Sequence, residues 1–292
     1  MDELVRTLSE TDRVLDLGAG GGSFSYASTR AGVIAVDLAF PGRTQASMGR
    51  LVSRSQALPL RDACVDVVVC NHTLEHFENV ADALFEINRV IKRRGYLWAA
   101  IPNGFCFDDD LYRFVFSGGG HVNRYSLESF IDLVESHTQF RAVRYKVLYS
   151  GFVYLNPPSP EKLPDYPRLA RLLARIPPRL LESLLRWGNY LARLSDRRLH
   201  SRMSRYGWGV IFCWDDERPA RRRDGLESLE VMPADINVCF SCGAGHPEAS
   251  LTGRLRRIGL WRKYACPCCG KENIFFRQSK SANRKAQIES QI

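Results

Sequence analysis

Five of the nine cysteines crowd into one short stretch near the C-terminus, as Cys239-Phe240-Ser241-Cys242-Gly243 and Cys266-Pro267-Cys268-Cys269-Gly270. A two-residue gap lets both thiolates of a pair reach one tetrahedral ion, and the glycine that follows relieves the tight turn. Four thiolates, from Cys239, Cys242, Cys266 and Cys269, would close the coordination sphere, which describes a structural zinc site rather than a catalytic one. Cys268 lies inside the second knuckle and is the alternative to Cys269. His246 as a ligand and an iron–sulfur cluster are the other readings. Cys64, Cys70, Cys106 and Cys213 stand singly among apolar residues and read as buried thiols. No secretory signal is visible, so a cytosolic chain is expected, in which such clustering favours metal over disulfide.

The second constellation is Asp16-Leu17-Gly18-Ala19-Gly20-Gly21-Gly22, with Asp37 at the end of the next apolar run. Glycines there allow a tight turn and close approach of a ligand to backbone. A dinucleotide fingerprint would need glycine at 23, where the chain has Ser23. Asp37 is placed to accept hydrogen bonds from ribose hydroxyls. His72, His76 and His121 fall near the ends of strands, where α/β sites form. His72 and His121 are the candidate proton acceptors, set against a packing or helix-start role. Glu75 reads as pinning its turn.

These residues need a frame. Val14-Leu15-Asp16-Leu17, Val33-Ile34-Ala35-Val36, 65–70, 96–101, 140–149 and 206–214 read as strands, the early ones buried on both faces. A helix is expected from about Ser23. Others are expected over 81–91, after an N-cap at Ser126, over 169–176 and over 180–194. The alternation indicates a parallel α/β sheet.

On these motifs the chain resembles class I S-adenosylmethionine-dependent methyltransferases of the type 11 group. Further matches are Gln56-Ala57-Leu58-Pro59-Leu60 before the strand at 65, Asn71-His72-Thr73-Leu74-Glu75-His76, Arg89-Val90-Ile91-Lys92 and His121-Val122-Asn123-Arg124-Tyr125-Ser126. The resemblance covers about residues 12–150. It implies a Rossmann-like seven-stranded methyltransferase sheet, mostly parallel with the last strand antiparallel, and S-adenosylmethionine as cofactor. It implies Asp16, Gly18, Ala19, Gly20, Asp37, Leu38, Gln56, Ala57 and Asn71 as the cofactor-binding residues. Arg54 stands where many relatives carry an acid for the adenine amino group, and Arg93-Arg94 replaces a Pro-Gly. The cysteine knuckles resemble a small C-terminal zinc ribbon, with Zn2+ as its ion.

The expected organisation is a methyltransferase domain over 1–216 with a helical insertion at 155–205. A linker at 217–232, the ribbon-like module at 233–278 and a polar tail at 279–292 follow. Residues 105–120 and 155–205 are the candidate lids. The net charge of +9 is uneven. Residues 1–150 sum to −2, 151–205 to +7 and 251–292 to +8. The insertion carries Arg179, Arg186 and Arg193 at seven-residue spacing beside a leucine stripe. It fits a helix on an anionic surface, a helix pair covering the sheet with arginines in solvent, or a grip on a phosphate-bearing substrate. Arg254, Arg256, Arg257, Arg262 and Lys263 among Leu255, Leu260, Trp261 and Tyr264 fit either a nucleic-acid grip or a small aromatic core.

Basic segments 167–205 and 251–285 thus point to an anionic surface, membrane or RNA. No apolar run is long enough to span a bilayer, so the expected place is the cytoplasm, peripheral to the membrane at most. The leading expectation is methyl transfer to a small-molecule or lipid- or glycan-linked acceptor. An RNA-modifying methyltransferase and a non-catalytic docking protein are the alternatives.

Overall fold

Val14, Leu15, Val33, Val36, Val67, Val68 and Leu97 have almost no exposed surface, the mark of strands sandwiched on both faces. The computed structural model describes residues 2–40, 46–116, 120–157, 166–199, 201–215 and 229–277. Its helices are α1 (Asp2–Arg6), α2 (Val80–Val90), α3 (Phe107–Phe116), α4 (Leu127–His137), α5 (Arg168–Leu173), α6 (Pro178–Leu199) and α7 (Glu248–Leu251). The strands of the large sheet are β1 (Arg13–Leu17), β2 (Gly32–Asp37), β3 (Gly49–Val52), β4 (Val65–Asn71), β5 (Ile91–Pro102), β6 (Phe140–Tyr149), β7 (Arg205–Trp214) and β8 (Glu230–Val231). Five short strands follow: β9 (Asn237–Val238), β10 (Gly245–His246), β11 (Leu255–Ile258), β12 (Trp261–Ala265) and β13 (Glu272–Ile274).

The chain forms two compact units. The first takes Met1–Pro102, Val122–Lys146 and Trp208–Val231, and the second takes Asn103–His121, Val147–Gly207 and Met232–Ile292. The large sheet runs β3-β2-β1-β4-β5-β7-β6-β8. The pairs β1·β2, β1·β4, β2·β3 and β4·β5 are parallel. Ser126 caps α4 through a capping box with Ser129, and Leu127, Phe130, Ile131 and Val134 form its buried face.

Three expectations for this part are corrected. The sheet has eight strands, not seven. The eighth, β8, pairs in parallel with the edge strand β6 through Tyr145 and Val231, inside the stretch expected to be linker. Arg144 and Glu230 add an exposed ion pair at 2.7 Å. No α-helix starts at Ser23. Only a 3-10 turn at Tyr26–Ser28 separates the glycine turn from β2, because nine residues cannot hold a helix and its return. Finally, β5 starts at Ile91, ahead of the strand expected over 96–101, so Arg93 and Arg94, which stand in place of a Pro-Gly, lie within the strand. Residues 217–228 of the expected linker and the whole expected tail, 279–292, fall outside the described residues.

In the second unit, α6 packs on the cysteine module. Leu181 and Leu185 are buried with Phe240, and the Arg186 guanidinium lies over the Phe240 ring at 5.6 Å. Arg193, expected among solvated arginines, is buried instead. It donates to the carbonyls of Ile236 at 2.5 Å, Asn189 at 3.1 Å and Ser150 at 2.9 Å. Asn189 in turn donates to the Val238 carbonyl at 3.1 Å. A carbonyl cluster that short of donors needs a five-donor side chain, which is what arginine provides. A smaller core joins Leu251, Tyr264 and Phe275.

Candidate cofactor cleft and metal centre

In the first unit, β1 is flanked by β2 on one side and β4 on the other. The strand order reverses there, so a crevice opens past the carboxyl ends of β1 and β4. A cleft of about 520 Å³ occupies it, with Gly18, Asp37, Leu38, Gln56, Arg54 and His72 among its walls. Clefts of about 300–1,000 Å³ hold small ligands.

Asp16 does not face this cleft. Its buried carboxylate accepts from the Ser23 hydroxyl at 2.5 Å, the Ser23 N–H at 2.9 Å and the Tyr26 hydroxyl at 2.7 Å. Burial pushes its carboxyl above the usual range, and those three hydrogen bonds oppose the rise. Asp16 therefore shapes the turn from behind. Gly18 shapes it from the front. Its φ is +70°, its N–H donates to the Val36 carbonyl at 2.8 Å, and a Cβ would sit 2.1 Å from Thr73 Cγ2. Only glycine passes there.

Asp37 ties the turn to the end of β2, accepting from the Gly20 N–H at 2.7 Å and the Ala39 N–H at 3.3 Å. Ala19 donates to the Val36 carbonyl at 3.0 Å. Ala57 donates to the Arg54 carbonyl at 3.2 Å, and Asn71 ends β4 opposite Ala100. Of the nine residues expected to hold cofactor, Gly18, Asp37, Leu38 and Gln56 line the cleft. Asp16, Ala19, Gly20, Ala57 and Asn71 lie behind or beside it.

The loop carrying Gln56 is held by a pair that sequence reading passed over. Glu86 on α2 accepts from the Leu58 N–H at 2.8 Å, and Arg89 donates to the carbonyls of Leu60 at 2.7 Å and Leu58 at 3.1 Å. Arg89 also grips Glu86 with two bonds of 2.7 Å, which hold the Glu86 carboxyl below the usual range. Their i, i+3 spacing was the available signal.

His72 follows β4 with φ +54°, its N–H donating to the Ala100 carbonyl at 2.9 Å. Its Nδ1 lies 3.6 Å from Oε1 of Glu75, whose side chain is fully buried. Neither carboxylate oxygen of Glu75 has a hydrogen-bond partner among the described residues. The Glu75 carbonyl accepts from the N–H groups of Val122 and Asn123, each at 3.0 Å, so its backbone pins the turn. His121 belongs to the second unit. There its Nδ1 meets Asp109 at 2.7 Å, Arg113 grips the same carboxylate at 2.5 Å, and its ring stacks on Tyr112. Burial acts to raise the Asp109 carboxyl, but the bonds from His121 and Arg113 outweigh it and hold it low.

The second unit also brings the four cysteines together. The sulfurs of Cys239, Cys242, Cys266 and Cys269 all lie within 4.8 Å of one another. Two cross-knuckle pairs, Cys239–Cys269 and Cys242–Cys266, are each 3.6 Å apart. Tetrahedral zinc with bonds of about 2.3 Å requires sulfurs about 3.8 Å apart, so the donor set fits. The two knuckles repeat one geometry. Gly243 donates to the Cys239 carbonyl at 3.0 Å and Gly270 to the Cys266 carbonyl at 2.9 Å, both with φ +74°. His246 Nε2 touches Cys266 Sγ at 3.2 Å, and His246, Cys266 and Cys268 form a second group of donors. All nine cysteines are free of disulfides.

Comparison with known proteins bears on the first unit. Residues 15–99, which include every residue lining the cleft, match one family. That family is the methyltransferase domain. An uncharacterized methyltransferase of Schizosaccharomyces pombe is 35% identical over 99 residues, 31% of this chain and 39% of that protein. The match thus spans well under half of that relative. Among solved structures, the YcgJ protein of Bacillus subtilis aligns with TM-score 0.47 and 17% identity, over 75% of this chain and 97% of its own. A Haemonchus contortus phosphoethanolamine N-methyltransferase 2 in complex with S-adenosyl-L-methionine aligns with TM-score 0.45 and 13% identity, over 74% and 51%. The methyltransferase-domain segment ends within β5, so it excludes the whole second unit.

Proposed function

We propose that this chain transfers a methyl group from S-adenosylmethionine to a small-molecule or lipid- or glycan-linked acceptor, and that its cysteine module is a structural zinc ribbon. The first reading is carried by the cleft at the strand-order reversal, walled by Gly18 and Asp37 within the segment that matches the methyltransferase domain. The group fits the residues present. Asp37 offers a carboxylate to ribose hydroxyls, Gly18 lets backbone approach a ligand, and Leu38 and Gln56 provide an apolar and an amide contact for a base.

S-adenosylmethionine supplies a sulfonium methyl that leaves by in-line displacement. The chain's part is then mainly positioning. The Asp16–Ser23–Tyr26 cluster fixes the turn, the Glu86–Arg89 pair fixes the Gln56 loop, and Asp37 fixes the turn to β2. His72, which lines the cleft together with His76, is a candidate to accept a proton from a hydroxyl acceptor. His121, held by Asp109, is the other candidate. The four thiolates would hold zinc, whose binding supplies folding energy that a module of about 40 residues lacks in its core. The basic segments 167–205 and 251–285 are read as contacting an anionic partner, with 278–285 outside the described residues. Among the described residues no helix is long and apolar enough to cross a membrane.

Calorimetry with S-adenosylmethionine tests the reading. Binding by the wild type that falls at least about tenfold, or about 1.4 kcal/mol, in Asp37→Ala is expected. No binding by the wild type would leave only a docking role. Labelled methyl transfer into lysate fractions of lipid, RNA, protein and small molecules then finds the acceptor.

A further inference from the structure

α6 carries two apolar faces. Leu181 and Leu185 are used up against Phe240. Leu180, Leu184, Trp187 and Leu191 recur at the spacing of a second stripe, and its three leucines remain 52–56% exposed. A helix that packs on one side has no folding need for that stripe.

Trp187 joins the stripe to the β11–β12 hairpin, meeting Trp261 edge-on with ring centroids 5.2 Å apart. Ile258 pairs with Trp261, so Gly259 and Leu260 make the hairpin's two-residue turn. Gly259, with φ +58°, supplies the left-handed first position. Nothing in that turn asks for leucine at the second, yet Leu260 is 93% exposed, with Ile258 exposed beside it. Arg254, Arg256, Arg257, Arg262 and Lys263 surround this tip, and residues 252–263 contain no acid. The register sets Arg257 opposite Arg262, and Arg256 opposite Lys263, whose ammonium lies 3.7 Å from the Glu272 carboxylate. Like charges so placed destabilise a strand pair unless an anionic partner meets them.

We infer that the α6 stripe and the hairpin tip together form a surface that lies on an anionic lipid bilayer. Leu180, Leu184, Leu191, Ile258 and Leu260 enter the headgroup boundary, and the arginines meet lipid phosphates. RNA fits the surface less well, because base stacking needs free aromatic faces. Tyr264 is buried, Trp261 is hemmed edge-on by Trp187 and Tyr190, and the most exposed side chains of the surface, Leu260, Leu191, Leu184 and Leu180, are aliphatic. A second copy fits less well too, since a two-fold contact through the tip would set its four arginines against four. The inference narrows the anionic-partner reading to one surface and is independent of methyl transfer.

The test is co-sedimentation of the full chain, purified with zinc, with phosphatidylcholine vesicles that contain or lack phosphatidylglycerol. Anisotropy with poly(U) RNA and analytical ultracentrifugation run in parallel. Binding only to the phosphatidylglycerol vesicles is expected, weakened at least tenfold in Leu260→Glu and in Leu184→Glu/Leu191→Glu. Arg256→Gln/Arg257→Gln/Arg262→Gln should lose about fivefold per arginine. All these residues are exposed, so unchanged zinc content and circular dichroism serve as controls. Equal binding to neutral vesicles, or poly(U) binding without vesicle binding, would overturn the inference. So would a dimer that Leu184→Glu/Leu191→Glu splits while vesicle binding persists.

Discussion

Arg193, in the middle of α6, donates from Nε to the carbonyl of Ile236, 43 residues further along the chain. The same guanidinium reaches Ser150, so one side chain ties three separate segments of the second unit. Burial pushes its pKa down to about 10, and it keeps its charge at neutral pH. Arg193→Met should leave buried carbonyls without donors and cost about 3 kcal/mol, read as a lower denaturation midpoint by the fluorescence of Trp187 and Trp261. Arg193→Lys, with a point charge in place of a fork, should recover only part of it.

Zinc content separates the two donor groups that share Cys266. If Cys239, Cys242, Cys266 and Cys269 hold the ion, Cys239→Ser and Cys269→Ser purify without it, while Cys268→Ser and His246→Ala keep one zinc per chain by atomic absorption. A chelator should then lower the thermal stability of the wild type sharply. Zinc retained in Cys269→Ser but lost in Cys268→Ser would reassign the ligand.

Gly18→Ala should destabilise the first unit by about 1–3 kcal/mol, combining left-handed strain with overpacking against Thr73. Adding Thr73→Gly removes the collision and leaves the strain. Calorimetric unfolding of the single and double variants should therefore rank wild type, double, single. A double variant no better than the single would place the penalty elsewhere.

The Glu86 carboxyl is held low by Arg89, so the folded state binds its proton more weakly than the unfolded chain does. Its stabilising contribution is complete above the unfolded pKa of about 4.3 and is lost as pH falls through the lower folded value. Glu86→Gln should lower stability at pH 7 and flatten the acid side of the stability profile. It should also weaken S-adenosylmethionine binding, because the Gln56 loop loses its anchor. An unchanged slope below pH 4 would show that Glu86 does not titrate with folding.

The parallel core was readable because Val14-Leu15, Val33-Ile34 and 65–70 have no polar alternation, and burial on both faces leaves no other reading. The knuckles were readable because ligand spacing is local. The eighth strand was not, since two residues, Glu230 and Val231, carry no periodicity and are strands only because β6 offers an edge. The helix expected after Ser23 is absent because the short stretch before β2 has no room for one and its Ser23 and Tyr26 are spent on Asp16. Arg193 was not readable for a different reason: seven-residue spacing with Arg179 and Arg186 describes a helix face, and only the fold shows which face is covered.

The pairing of α6 with the cysteine module has an order-of-synthesis consequence. The helix leaves the ribosome before residues 236–276 exist, and at about 5–20 residues per second the delay lasts several seconds. Throughout it, Leu181 and Leu185 lack Phe240, and Arg193 lacks the Ile236 carbonyl. A nascent chain halted before Met232 would hold that uncovered face indefinitely, so chaperone capture and turnover of such fragments, rather than partial activity, is the fate the architecture assigns to premature termination.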